Sequence, residues 1–237
     1  ARLESGYVTG TASTITYATL NKLIDQKVFP KDKLKLLYDP ILNIKSINKK
    51  KFEKLDKKFI GVEFILGIGR LTKQKNFSLL INSFKEILNK YPNLKLIILG
   101  DGEERYKLNQ LVKKLSLDEK IFLEGYKKNI FNYLHNCECY ISSSLYEDPG
   151  FTLIESGFLN KFVIAADSKT GPTEILNSSK NGLLFKNNDK NSLVNQYLVF
   201  KKLSSEKLMN KKINLKKFSK NFSVFNHFKS MSKILSN

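Results

Sequence analysis

From Gly61 onward, short apolar runs alternate with stripes of helical period. Val62-Glu-Phe-Ile-Leu66 predicts a buried strand, Gly67-x-Gly69 a turn, and Asn76 to Asn89 a helix whose Phe77, Leu80, Ile81, Phe84 and Leu88 share one face. The strand Leu94 to Leu99, the turn Gly100-Asp-Gly102 and the helix Glu103 to Leu115 repeat the unit. Ile121-Phe-Leu123 is a third strand ended by Gly125; a short helix near Asn129 to His135 then leads to a strand over 138–142. A Pro-Gly break follows, and then a helix from Thr152 to Leu159, the strand Phe162 to Ala166, a short helix opened by Gly171-Pro-Thr-Glu174, and the strand Leu183 to Phe185 after Asn181-Gly182. Such β-α alternation predicts an α/β, Rossmann-like parallel sheet with helices on both faces and right-handed crossovers.

The flanks are less regular. Tyr7-Val-Thr-Gly10 reads as a strand end, Ser13 to Leu23 as a short helix, and Lys35-Leu-Leu-Tyr38 as a strand stopped by Asp39-Pro40. Residues 189–237 read as helices, with Phe222, Phe225, Phe228, Met231 and Leu235 near helical spacing, so the tail carries an apolar face to dock. The expected organisation is therefore a remnant of a preceding unit with its connector over 1–45, a Lys/Asn-rich linker over 46–59, a Rossmann-like domain over 60–200, and C-terminal helices over 201–237. The chain starts on Ala1 rather than Met, which points to a fragment or a processed chain.

Composition narrows the classes. With 237 residues, 41% of them hydrophobic, the chain can bury a core, and disorder is not the default. No apolar run reaches the roughly 18 residues of a membrane span, and no signal-peptide pattern opens the chain, so a cytoplasmic protein is expected. The net charge is +19, yet only Arg2, Arg70 and Arg105 are arginines. Dispersed lysine without the arginine fork disfavours nucleic acid as a partner. It leaves either a chain-wide compositional bias or peripheral attraction to the anionic inner face of a membrane. His135, Cys137 and Cys139 form a His-x-Cys-x-Cys run in which strand alternation would put both thiols on one face. A structural zinc site needs four ligands and no second cluster exists, so buried reduced cysteines are expected.

Two stretches carry candidate chemistry. Gly69-Arg-Leu-Thr-Lys-Gln-Lys75 lies between a strand and a helix; Arg70 can grip two diphosphate oxygens in a fork and Lys75 adds a compact charge. The plain alternative is a solvated basic loop. Gly67-x-Gly69 lacks the further glycine of a dinucleotide fingerprint, so a nicotinamide cofactor is not expected. In the second stretch, Ser142 to Glu155, Pro149 and Gly150 leave Glu147 in a loop and Glu155 in the first turn of the following helix. Glu155 can accept hydrogen bonds from a ribose diol, Glu147 from a sugar ring, and the amides of Phe151, Thr152 and Leu153 can meet phosphate. The competing structural reading makes Thr152-x-x-Glu155 a capping box. A glycosidase carboxylate pair is a further option, though nothing marks either as a raised-pKa acid.

The order Gly69-Arg70…Lys75, Gly100-Asp-Gly102, Gly125, Ser144-x-x-Glu147-x7-Glu155, Gly171-x-x-Glu174 and Asn181-Gly-Leu-Leu-Phe185 resembles the donor-binding half of a retaining glycosyltransferase of the GT-B fold, group 1 or family 4, over about residues 60–200. The resemblance implies that Arg70 and Lys75 stabilise the donor diphosphate without a catalytic metal, and that Glu147 contacts the transferred sugar. It further implies that Glu155 binds the ribose, that amides from Gly150 to Leu153 touch sugar and phosphate, and that Tyr126 lies near the base. It makes Arg70, Lys75 and Glu147 the expected catalytic set, requires no cofactor, and makes a nucleotide sugar and a glycan or lipid-linked acceptor the expected partners. Where the family often has Glu-Gly-Phe-Gly, this chain has Glu147-Asp-Pro-Gly150, which puts the sugar contacts of that loop in question. The family's acceptor-binding domain is expected to lie upstream, with the terminal helices packing back toward it. An epimerase or glycan synthase of the same architecture, or a non-catalytic lysine-rich module, are the alternatives.

Overall fold

The computed structural model describes residues 12–14, 16–168 and 170–236 of the chain; the expected strand end at Tyr7 to Gly10 lies outside them. Its centre is a six-stranded, all-parallel sheet. The strands are β3 (Phe64–Ile68), β4 (Lys95–Leu99), β5 (Ile121–Leu123), β6 (Cys139–Ser142), β7 (Phe162–Asp167) and β8 (Leu183–Lys186), in the order β5-β4-β3-β6-β7-β8. A separate parallel pair, β1 (Ala12–Thr14) with β2 (Leu34–Leu36), precedes it.

Near-continuous Ile, Leu, Val and Phe runs form these strands because both faces of the sheet are covered. On one face Ile65, Leu96, Ile98, Ile141 and Ile164 meet helices α3 (Phe77–Leu88), α4 (Arg105–Lys114) and α8 (Lys190–Lys201). On the other, Phe64, Leu66, Ile97, Tyr140 and Val163 meet α5 (Phe131–Asn136), α6 (Phe151–Phe158), α7 (Gly171–Ile175) and α9 (Ser205–Ser219). The expected face of α3 is seen with one change: Ile87 is fully buried, whereas Leu88 packs only partly. Gly157 lets α9 approach α6, since a Cβ there would lie 2.4 Å from Leu215 Cγ.

The helix expected over Ser13 to Leu23 starts later, as α1 (Tyr17–Asp25), because Ala12 to Thr14 pair with β2 and Thr16 caps the helix by accepting from the Thr19 amide at 3.1 Å. The stretch read as a linker carries α2 (Ile44–Lys50), capped by Asn43 and anchored by buried Ile47. One buried side chain in seven residues left little periodicity to detect there. The tail is helical as expected, ending in α10 (Val224–Leu235), which leaves Val224, Phe225, Phe228 and Leu235 exposed. Phe222, grouped with that face by spacing, is instead buried in a 3-10 turn, where its carbonyl accepts from the Leu42 amide at 3.0 Å.

Candidate active site

The strand order reverses between β3 and β6: from β3 the chain proceeds outward to β4 and β5, then returns to lay β6 on the other side. The loops leaving such a pair diverge to opposite faces and open a crevice beyond the strands' carboxyl ends. Those two loops are the stretches singled out by sequence. The first runs from Gly69 through a 3-10 turn, Lys73–Lys75, to Asn76 in the left-handed region. The second runs from Ser142 to Gly150. They are joined directly. The Leu145 amide donates to Gln74 O at 2.8 Å, Gln74 Nε2 to Tyr146 O at 2.9 Å, and Ser143 Oγ to Lys75 O at 2.9 Å.

At their meeting point Lys75 Nζ donates to Glu147 Oε1, which also accepts from Ser144 Oγ at 2.7 Å. Both partners are shielded, their side chains 21% and 12% exposed, so the pair feels a lower dielectric than a surface salt bridge. The Glu147 carbonyl is held in turn by Thr170 Oγ1 and by the Gly171 amide at 3.2 Å. Gly171 is required there, since a Cβ would lie 1.8 Å from Pro149 O. Gly100 plays the same part below the first loop, with φ of +137° and a would-be Cβ 1.9 Å from Gly69 O.

Lys75, Glu147, Gly150, Phe151, Thr152 and Leu153 line one cavity of about 190 Å³, together with Tyr140 and Asp148. Gly69 lies beside it, with the Lys75 side chain folded over its Cα. Arg70 is exposed on the same turn, and Tyr126 is 80% exposed after Gly125. Neither they nor Glu155 line the cavity. Glu155 and Glu147 do share a neighbourhood, because the charge of each raises the Tyr140 phenol on top of that group's burial.

The capping-box reading of Thr152 and Glu155 fails. Gly150, at φ of +97°, is the N-cap of α6, the helix already includes Phe151, and Glu155 is its fifth residue rather than a first-turn one. Gly150 takes this place because its left-handed conformation is open to glycine. Among the described residues the Glu155 carboxyl makes no hydrogen bond or ion pair, and burial pushes its pKa up to about 7. The first amides of α6 are therefore not capped by a side chain; their residues, Phe151 to Leu153, line the cavity, and the Leu153 amide donates to Gly150 O at 3.0 Å.

The two cysteines are free and buried, with thiol pKa values raised by burial. They pack on opposite faces of the sheet, not on one as alternation suggested, because Cys137 precedes the strand that begins at Cys139.

Three residues beyond the expected site set also shape the loop: Ser144, Thr170 and Asp148. Ser144 had a signal in its three-residue spacing from Glu147. Thr170 reaches across 23 positions to the Glu147 carbonyl, while Asp148, which accepts from Thr16 Oγ1 at 3.1 Å, and Glu174, which accepts from the Tyr17 amide at 2.8 Å, hold the start of α1.

Among known proteins, the family described as glycosyl transferases group 1 matches residues 47–222. An uncharacterized glycosyltransferase of Methanocaldococcus jannaschii is 43% identical over 162 residues, 66% of this chain and 40% of that protein. The N-acetylgalactosamine-N,N'-diacetylbacillosaminyl-diphospho-undecaprenol 4-alpha-N-acetylgalactosaminyltransferase of Campylobacter jejuni is 33% identical over 174 residues, 73% of this chain and 46% of that one. The chain thus spans less than half the length of these two relatives. Among solved structures, Anabaena HepE in complex with UDP and glucose superposes with a TM-score of 0.78 at 19% identity, covering 96% of this chain and 63% of that one. Staphylococcus aureus TarM, in a complex containing UDP, gives 0.78 at 19% identity over 96% and 44%.

Proposed function

Since the chain belongs to the group 1 glycosyl transferases, we propose that it is the donor half of an enzyme that moves a sugar from a nucleoside-diphosphate sugar to a glycan or lipid-linked acceptor. The observation that carries this reading is the Lys75–Glu147 pair in the cavity at the β3/β6 crevice, with Arg70 on the same turn as Lys75. The donor diphosphate lies between the Gly69 turn and the first amides of α6. Arg70 forks onto it, and Lys75 takes the charge that develops on the departing phosphate oxygen, a role that needs no metal. Glu147, oriented by Ser144, accepts from hydroxyls of the transferred sugar. Glu155 accepts from the ribose diol, and Tyr126 borders the base.

Transfer proceeds with retention, with an acceptor-binding half supplied by the longer protein, next to residues 12–45 and the exposed face of α10. Complexes of similarly folded proteins with UDP support a uridine donor. The strong positive charge supports work at the cytoplasmic face of an anionic membrane. Calorimetric titration with UDP-, GDP- and ADP-sugars tests the reading. One donor class should bind, and Arg70→Ala should weaken it by about tenfold or more. No binding to any donor, with Arg70→Ala like the parent, would overturn it.

A further inference from the structure

The cavity described above lies at the carboxyl ends of the strands. A second, of about 640 Å³, lies at the opposite, amino ends of β6 and β7, and four lysines border it: Lys51, Lys161, Lys216 and Lys220. His135 lines it too. None of the four lysines forms an ion pair among the described residues, and no carboxylate is among the lining side chains.

A structural reason for such a cluster exists. The carboxyl ends of four helices converge here: α2 ends at Lys50, α5 at Asn136, α6 at Phe158 and α9 at Ser219. Each end carries at most about half a negative charge, so together they offset about two of the four lysine charges and leave roughly two over. Lys161 is anchored by donating to Cys137 O at 3.0 Å, but an ammonium has three protons to give. The field is felt inside the cavity: after burial, Lys161 and Lys51 are what hold the His135 imidazole below its usual pKa, and Lys212 adds to the charge facing Lys161.

We propose that this cavity is a second binding site, for a phosphate monoester, separate from the crevice between β3 and β6. A dianion matches the uncompensated charge, and the lysines arrive from three directions, as a tetrahedral group with several acceptor oxygens requires. The rim favours a phosphate borne on a larger molecule. Phe52, 71% exposed, stands against His135 with ring centroids 5.2 Å apart. The phosphate is either that of a lipid headgroup or that of a free phosphorylated metabolite.

The chain's two histidines provide the readout. In proton NMR at constant pH, inorganic phosphate should shift the His135 ring signal, identified by its loss in His135→Gln, and leave that of His227 in place. In the triple variant Lys51→Gln, Lys216→Gln, Lys220→Gln the titration should weaken by about tenfold or more. A variant that removes as much charge elsewhere, Lys90→Gln, Lys113→Gln, Lys114→Gln, should titrate like the parent. Co-sedimentation with phosphatidylcholine vesicles, with and without phosphatidic acid, then assigns the source. Binding that needs phosphatidic acid and is lost in the triple variant identifies a lipid phosphate. A phosphate response without vesicle binding identifies a free one. If His135 responds to neither probe, or if both triple variants behave alike, the site does not exist.

Discussion

Thr19 donates its hydroxyl hydrogen to Asp148 Oδ2 at 2.7 Å, across 129 positions of sequence. This contact fastens the first turn of α1 to the loop that bears Glu147. Asp148→Ala should therefore loosen α1 while Glu174 still holds the Tyr17 amide. The expected cost is about 1 kcal/mol. Hydrogen exchange should quicken in residues 17–25, with the amides of β3 and β6 unchanged; equal quickening throughout would contradict it.

The Lys75–Glu147 pair should behave as a unit. Lys75→Met leaves a shielded carboxylate with Ser144 as its remaining partner, at a cost of about 1–3 kcal/mol. Glu147→Gln keeps an acceptor for Ser144 and costs less. Combined, the two changes should destabilise less than their sum in urea denaturation, a coupling that additive values would disprove.

Burial gives Glu155 a pH signature. Its pKa in the folded chain is about 7 against an ordinary 4.5, so the folded state holds the proton more tightly than the unfolded one. Stability from this group is consequently lost as pH rises from about 4.5 to about 7, by on the order of 3 kcal/mol in total. Glu155→Gln should abolish that slope and raise the melting temperature above neutrality, while weakening nucleotide binding through the lost ribose contact. Melting curves that run parallel for parent and variant from about pH 5 to 8 would refute the assignment.

Gly100→Ala should be severe for a residue so small. The new methyl meets Gly69 O at 1.9 Å and the backbone is in the left-handed half of conformational space. The expected loss is about 2 kcal/mol or more, accompanied by weaker donor binding because the displaced strand end carries Arg70 and Lys75. Gly61→Ala is the contrast, since it has positive φ but open space around it, and should cost less than Gly100→Ala.

The central sheet could be read in the sequence because its strands are short, largely apolar runs between glycine or polar turns, and the inner four, β4, β3, β6 and β7, are buried along nearly their whole length. The segments that escaped lacked that signal. In α2 the core contact is Ile47 alone, and β1 is three residues whose pairing with β2 comes from residues 22 positions later. Residue type and spacing singled out Lys75 and Glu147, which the structure brings into contact, and put the start of α6 at Thr152, one residue late. They put Glu155 in the first turn of that helix, whereas the left-handed conformation of Gly150 starts α6 at Phe151 and makes Glu155 its fifth residue. The ties from Thr170 and Asp148 join segments distant in sequence, and no local pattern encodes such contacts.

The three hydrogen bonds between the Gln74–Lys75 turn and the Ser143–Tyr146 loop also bear on how this architecture can be re-engineered. Two of them use main-chain atoms of one loop against side chains of the other, so each loop is shaped by its neighbour's sequence. A graft that imports a new sugar-facing loop alone would strand those donors and acceptors. Residues 69–76 and 142–150 are better exchanged together, as one cassette, when donor preference is to be altered.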